Sequence, residues 1–118
     1  MIRAEYSERE LRLQVRGHAG SADPGRDLIC AAASALLLAL REELLALEEA
    51  GRLSIRRLRL EPGLAEFACV PASRGEDGET AYDMAVRGLE LLERLFRGYV
   101  EVERTDEDTH GGCFHPKG

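Results

Sequence analysis

His18 and Cys30, twelve residues apart, are the pair in this chain whose types and spacing suit chemistry. A free thiol ionises near pH 8.5, so at neutral pH it needs help to become a nucleophile. A neighbouring imidazole can take the proton, and unpaired N–H groups in the first turn of a helix favour the thiolate further. The stretch Gly17-His18-Ala19 reads as the end of a strand, and Gly25 to Leu36 reads as a loop glycine followed by a helix. With Asp27 as N-cap, Cys30 is the third helical residue, where free N–H groups can also hold the oxyanion of a tetrahedral intermediate. As an anion near Cys30, Asp27 opposes thiolate formation unless it pairs with His18, so capping is its preferred role. Ser34 follows one turn after Cys30 on the same face, where it either hydrogen-bonds near the thiol or permits close packing. The competing reading of Cys30 is a small buried hydrophobe in an alanine-rich helix.

The elements that must position this pair follow from periodicity. Ile2, Ala4 and Tyr6 alternate with polar residues, as do Leu11, Leu13 and Val15, which predicts a hairpin ending at Gly17. His18 to Gly25 has no period; Gly17, Ala19, Gly20 and Gly25 are read as parts of a loop able to close over a peptide. Leu28 to Ala50 is helical, with Ile29, Ala32, Ala33, Leu36, Leu37, Leu40, Leu44 and Leu47 as its stripe and Gly51 as C′. Leu53 to Leu60 and Leu64 to Val70 are strands around the turn Glu61-Pro62-Gly63, with a bulge at Arg56-Arg57 where the apolar parity changes. Thr80 to Phe96 is a second amphipathic helix with Met84, Ala85, Leu91, Leu92 and Leu95 inward, and Tyr99 to Glu103 is a last strand. The predicted order is ββαββαβ, an α+β two-layer sandwich in which one mixed sheet is covered by two helices. Residues 1–104 form the domain, and 105–118 are expected to be a disordered tail.

Composition narrows the function. The chain has 118 residues, 44% hydrophobic and 32% charged, with no tryptophan, so it is one globular domain with an aliphatic core. A net charge of −6 argues against direct binding of nucleic acid or an anionic membrane and suits a basic partner. Three cysteines without a close pair do not make a secreted disulfide framework. No signal peptide or membrane-length apolar run is visible, so a cytoplasmic setting is expected.

The ordered set Gly17-His18-Ala19, Gly25-x-Asp27-x-x-Cys30-Ala31-Ala32-x-Ser34-Ala35-Leu36 resembles the bacterial ribosomal-processing cysteine protease family, Prp. The element order to about residue 104 is similar as well. The resemblance implies a small dimeric α/β cysteine protease with no cofactor. Its substrate would be the precursor of a large-subunit ribosomal protein, the twenty-seventh, from which it removes a short N-terminal extension. It places His18 and Cys30 on the family's catalytic positions and Asp27 and Ser34 on positions characteristic of its active site. Ala33 stands where many members carry valine, a small apolar exchange.

Two other function classes stay open on the sequence. One is a non-catalytic domain that binds a basic ribosomal protein in the same groove. The other is a metal-dependent or thiol-redox protein, which the lack of a C-x-x-C pair weakens. His110, Cys113 and His115 are too few and too irregularly spaced for a structural zinc site. Cys69 reads as buried beside Phe67, and Glu42, Glu43, Glu48 and Glu49 as a solvated face. Tyr82 and Tyr99 suit a pocket wall, core or dimer contact equally.

Overall fold

The computed structural model describes residues 1–17, 24–72 and 76–106, with the backbone alone for 24–27. Five strands and two helices follow in the expected order. They are β1 (Ile2–Ser7), β2 (Arg12–Arg16), α1 (Pro24–Glu49), β3 (Leu53–Glu61), β4 (Leu64–Pro71), α2 (Asp77–Leu95) and β5 (Val100–Arg104). The strands form one sheet in the order β3-β4-β2-β1-β5. All neighbours are antiparallel except β1 and β5, so the sheet is mixed.

Alternation decides which face the helices cover. Ile2, Ala4, Tyr6, Leu13, Val15, Ala65, Phe67, Cys69 and Val100 are buried, while Arg3, Glu5, Arg12, Arg57, Arg59, Glu101 and Glu103 alternate with the buried set or lie outside it. The register between β3 and β4 shifts between Ile55 and Arg57, the bulge predicted from the change of parity. After it, Leu58 and Leu60 pack against the core and Arg59 and Glu61 take the alternate face.

The α1 stripe is inward as expected: Ile29, Ala33, Leu37, Leu40 and Leu44 are buried, with Ala32, Leu36 and Leu47 packed against them. The helix ends in a Schellman arrangement, in which the Arg52 N–H donates to Leu47 C=O and the Gly51 N–H to Glu48 C=O. Gly51 holds the positive φ of 78° that this motif places at C′.

The start of α1 differs from the prediction. The helix begins at Pro24, so Asp27 is its fourth residue and not its N-cap, and Gly25 lies in its first turn and not in the loop. Proline lacks only an N–H that the first turn cannot pair, and its fixed φ is already helical. Pro24 and Gly25, which fall in the stretch without periodicity, open the helix.

The phase of α2 also differs. Ala85 and Leu92 are buried as expected, but Tyr82, Val86 and Leu89 complete the inward stripe. Met84, Leu91 and Leu95 are 71%, 45% and 62% exposed. Counting leucines set the phase by hydrophobicity, whereas the sheet took the stripe that carries the aromatic and β-branched side chains. Tyr82 is a core residue: its ring stacks on Tyr6 and its O–H donates to the Cys69 sulfur at 3.4 Å.

The chain beyond β5 is tied down further than expected. The Thr105 N–H donates to Tyr6 C=O, and Asp106 accepts from the Ser7 hydroxyl at 2.8 Å and the Arg9 N–H at 2.9 Å. The rest of the tail, including His110, Cys113 and His115, lies outside the described residues, as do His18, Ala19 and Gly20.

Candidate active site

Cys30 and Ser34 face one cavity of ≈ 210 Å³ at the end of the sheet. Cys30 is half-buried and Ser34 exposed. With Leu37 they lie at i, i+4 and i+7 on one face of α1, and all three line the cavity. Its other walls are the end of β2 at Gly17 and the β3–β4 turn from Glu61 to Leu64.

The β2 end is fixed by its own geometry. The Gly17 N–H donates to Gly63 C=O at 3.0 Å, which clasps the strand end to the β3–β4 turn. Gly17 has φ of 96°, and a Cβ there would stand 2.2 Å from the Met1 carbonyl oxygen. Glycine is required for both reasons. Gly17 is the residue before His18, so the strand end that delivers the histidine and the helix face that carries the cysteine meet at one cavity.

Cys30 is the seventh residue of α1 and stands beyond the first turn. The unpaired N–H groups and the field of the helix end act within that first turn. The expected help from a third helical position is therefore not supplied, and the Cys30 N–H belongs to the helical ladder. The side chain of Asp27 lies outside what is described.

Cys69 does not share this site. It is 3% exposed, and burial pushes its thiol pKa up, which makes it a poor nucleophile at neutral pH. The Tyr82 and Tyr6 hydroxyls are likewise pushed up, chiefly by burial. Arg104 lies over the Tyr6 ring at 5.6 Å and pairs with Glu90 at 2.9 Å. Burial and the nearby carboxylates of Glu79 and Asp83 raise the Glu8 carboxyl. This polar cluster joins β1, α2 and β5, and no sequence motif announces it.

Glu42, Glu43, Glu48 and Glu49 are exposed, but Glu48 also accepts the Ile55 N–H at 2.9 Å and so fixes the entry to β3. Among the described residues no group of histidines, cysteines and carboxylates could hold a metal ion. The walls that sequence reading missed are Leu60 and the β3–β4 turn. They reach Cys30 only through sheet pairing and the packing of α1, neither of which has a local sequence signal.

The family model described as Cysteine protease Prp matches residues 1–101, which include the strand end at Gly17, Cys30 and the β3–β4 turn. The chain belongs to the cysteine protease Prp family. Among solved structures it is similar to the essential ribosomal processing protease Prp from S. aureus with a covalently linked product peptide. That match has a TM-score of 0.69 and 17% identity, covering 88% of this chain and 99% of that one. The same S. aureus protease with a substrate peptide matches with a TM-score of 0.69 and 16% identity, covering 88% and 99%. SMU.848 from Streptococcus mutans matches with a TM-score of 0.61 and 20% identity, covering 88% and 93%. No curated protein matches the chain. At these identities the likeness is one of fold, and it agrees with the α+β architecture of one mixed sheet and two helices. No described helix is long and apolar enough to cross a membrane.

Proposed function

We propose that this chain is a cysteine endopeptidase that removes a short N-terminal extension from a large-subunit ribosomal protein precursor, the twenty-seventh, in the cytoplasm. The observation that carries the reading is the shared cavity of Gly17 and Cys30, which brings the residue before His18 to the cysteine that the family pattern marks. The S. aureus relative is a ribosomal processing protease, which supports the substrate class.

In this mechanism His18 takes the Cys30 thiol proton, and the sulfur attacks the scissile carbonyl carbon. The tetrahedral oxyanion collapses to a thioester as the C–N bond breaks, and His18 gives its proton to the leaving amine. Water, deprotonated by His18, then attacks the thioester, releases the carboxylate product and restores the thiol. Since Cys30 stands past the first helical turn, His18 carries the activation that the helix end does not. Ser34 sits where its hydroxyl can hydrogen-bond the bound peptide, and Asp27 is a supporting residue of the same segment. Gly17, Ala19, Gly20 and Gly25 belong to the substrate-side segment, with Gly25 acting from the helix start.

The working form is a homodimer. Leu38 and Leu45 on α1 and Met84, Leu91 and Leu95 on α2 leave an apolar outer helix layer that a second copy would cover. The acidic surface favours a basic ribosomal partner. The test is incubation with the extended and mature forms of that ribosomal protein. One site-specific cut in the extended form, lost in Cys30→Ala with binding retained, supports the reading. Binding by the unaltered protein with no cut makes the chain a binding domain instead.

A further inference from the structure

The sheet has two edges, β3 and β5, on opposite sides of the molecule. A strand edge presents N–H and C=O groups that a strand from another chain can join. The two edges of this sheet carry opposite charge. β3 bears Arg56, Arg57 and Arg59, and β5 bears Glu101 and Glu103, all of them exposed. Opposite charges on neighbouring strands attract, so β3 of one copy suits β5 of the next. Such a head-to-tail contact leaves a free edge of each kind at the two ends, and growth is open-ended unless the rotation closes a ring.

At each edge a helix glutamate stands in the way. Glu48 of α1 accepts from the Ile55 N–H of β3 at 2.9 Å, and Glu93 of α2 accepts from the Val102 N–H of β5 at 3.3 Å. Both bonds run from the helix layer to an outermost strand. Each engages an amide of the edge strand and sets a carboxylate beside it, which an added strand would have to displace or strip of water. On β3 the bulge between Ile55 and Arg57 lies next to the Glu48 bond and breaks the regular ladder there.

We propose that Glu48 and Glu93 are edge guards, which keep β3 of one copy of this chain from pairing with β5 of another. The excluded partner is a second copy because the arginines of β3 and the glutamates of β5 complement each other across that contact. The proposal does not depend on Cys30 being a nucleophile.

The test compares the size of the whole protein with that of Glu48→Ala, Glu93→Ala and the double variant, by light scattering after gel filtration over a series of concentrations. A hydrogen bond to a charged group shifts an equilibrium roughly 10- to 100-fold. Each single variant should therefore form species larger than the parent at concentrations about tenfold lower, and the double variant at lower concentrations still. Glu48→Gln with Glu93→Gln keeps an acceptor oxygen at both edges and should stay at the parental size. Adding Arg56→Glu to the double alanine variant sets like charges against β5 and should return it to the parental size. Aggregation of an unfolded chain would not respond to that change, and circular dichroism of the enlarged species should match the parent. A folded double variant of parental size at every concentration, or growth that Arg56→Glu leaves unchanged, overturns the proposal.

Discussion

Gly17→Ala is predicted to be among the most costly single-methyl additions in the domain, and a matched substitution shows why. At φ of 96° an alanine carries backbone strain of about 1–3 kcal/mol. Its Cβ would also stand 2.2 Å from the Met1 carbonyl oxygen, roughly 1 Å inside the ~3.3 Å at which carbon meets such an oxygen. The Met1–Ile2 peptide cannot simply rotate away, because the Ile2 N–H donates to Tyr99 C=O at 2.9 Å. Relief must stretch that bond or the Gly17–Gly63 bond, each worth about 1 kcal/mol. The total is about 3 kcal/mol, or roughly 12 °C in Tm at about 4 °C per kcal/mol for a chain of this length. Gly51→Ala is the control: its φ is 78°, yet a Cβ there meets nothing within 4 Å. It should cost only about 1 kcal/mol, the strain alone. Thermal unfolding followed by circular dichroism measures both. Equal losses in the two variants, or a Gly17→Ala midpoint within about 3 °C of the parent, would refute the clasp at the β2 end. Because residue 17 precedes the proposed base His18 in the chain, cleavage by Gly17→Ala below its midpoint should fall while Gly51→Ala keeps parental activity.

Leu44→Ala removes a side chain with no exposure from the contact of α1 with the sheet, and should cost about 2–5 kcal/mol in denaturant unfolding without changing peptide preference. Burial raises the folded-state pKa of Cys69, Tyr6 and Tyr82, so the folded chain holds these protons longer than the unfolded one. Stability is then flat below the unfolded thiol pKa and falls as pH rises, by about 1.4 kcal/mol per pH unit for each group once its unfolded pKa is passed. Tyr82→Phe should flatten the part of that fall above about pH 10, read by urea unfolding across alkaline pH. If the acidic surface steers a basic precursor, kcat/KM should drop about tenfold or more between low and high salt, whereas kcat should hold. A salt-independent kcat/KM would remove that role.

How far the sequence could be read depended on whether the deciding physics was local. Alternation at Ile2, Ala4 and Tyr6, the Gly51 cap and the parity change at Arg56-Arg57 are backbone rules written in neighbouring residues, and each stands in the fold. The start of α1 was misread because proline both breaks turns and opens helices, and only the structure selects between the two. That error mattered for the site, since it moved Cys30 out of the turn where helix N–H groups are free. The phase of α2 was misread because Leu91 and Leu95 are as hydrophobic as the buried Leu89 and Leu92, and the choice between stripes belongs to the sheet they meet. That Cys30 and Ser34 share one helix face was legible from their spacing, but that Leu60 lines the same cavity was not, because β3 reaches it only through tertiary packing.

The central claim is that Cys30 is the nucleophile of a peptidase. It is tested most directly by treating the native protein with a chloromethyl ketone of the precursor's cleavage-site peptide and locating the adduct by peptide mass spectrometry. The account predicts one adduct per chain, on Cys30, with cleavage of the precursor lost in proportion to labelling and no adduct on the buried Cys69. Labelling confined to Cys69 or Cys113, or full precursor cleavage by protein labelled at Cys30, would contradict it.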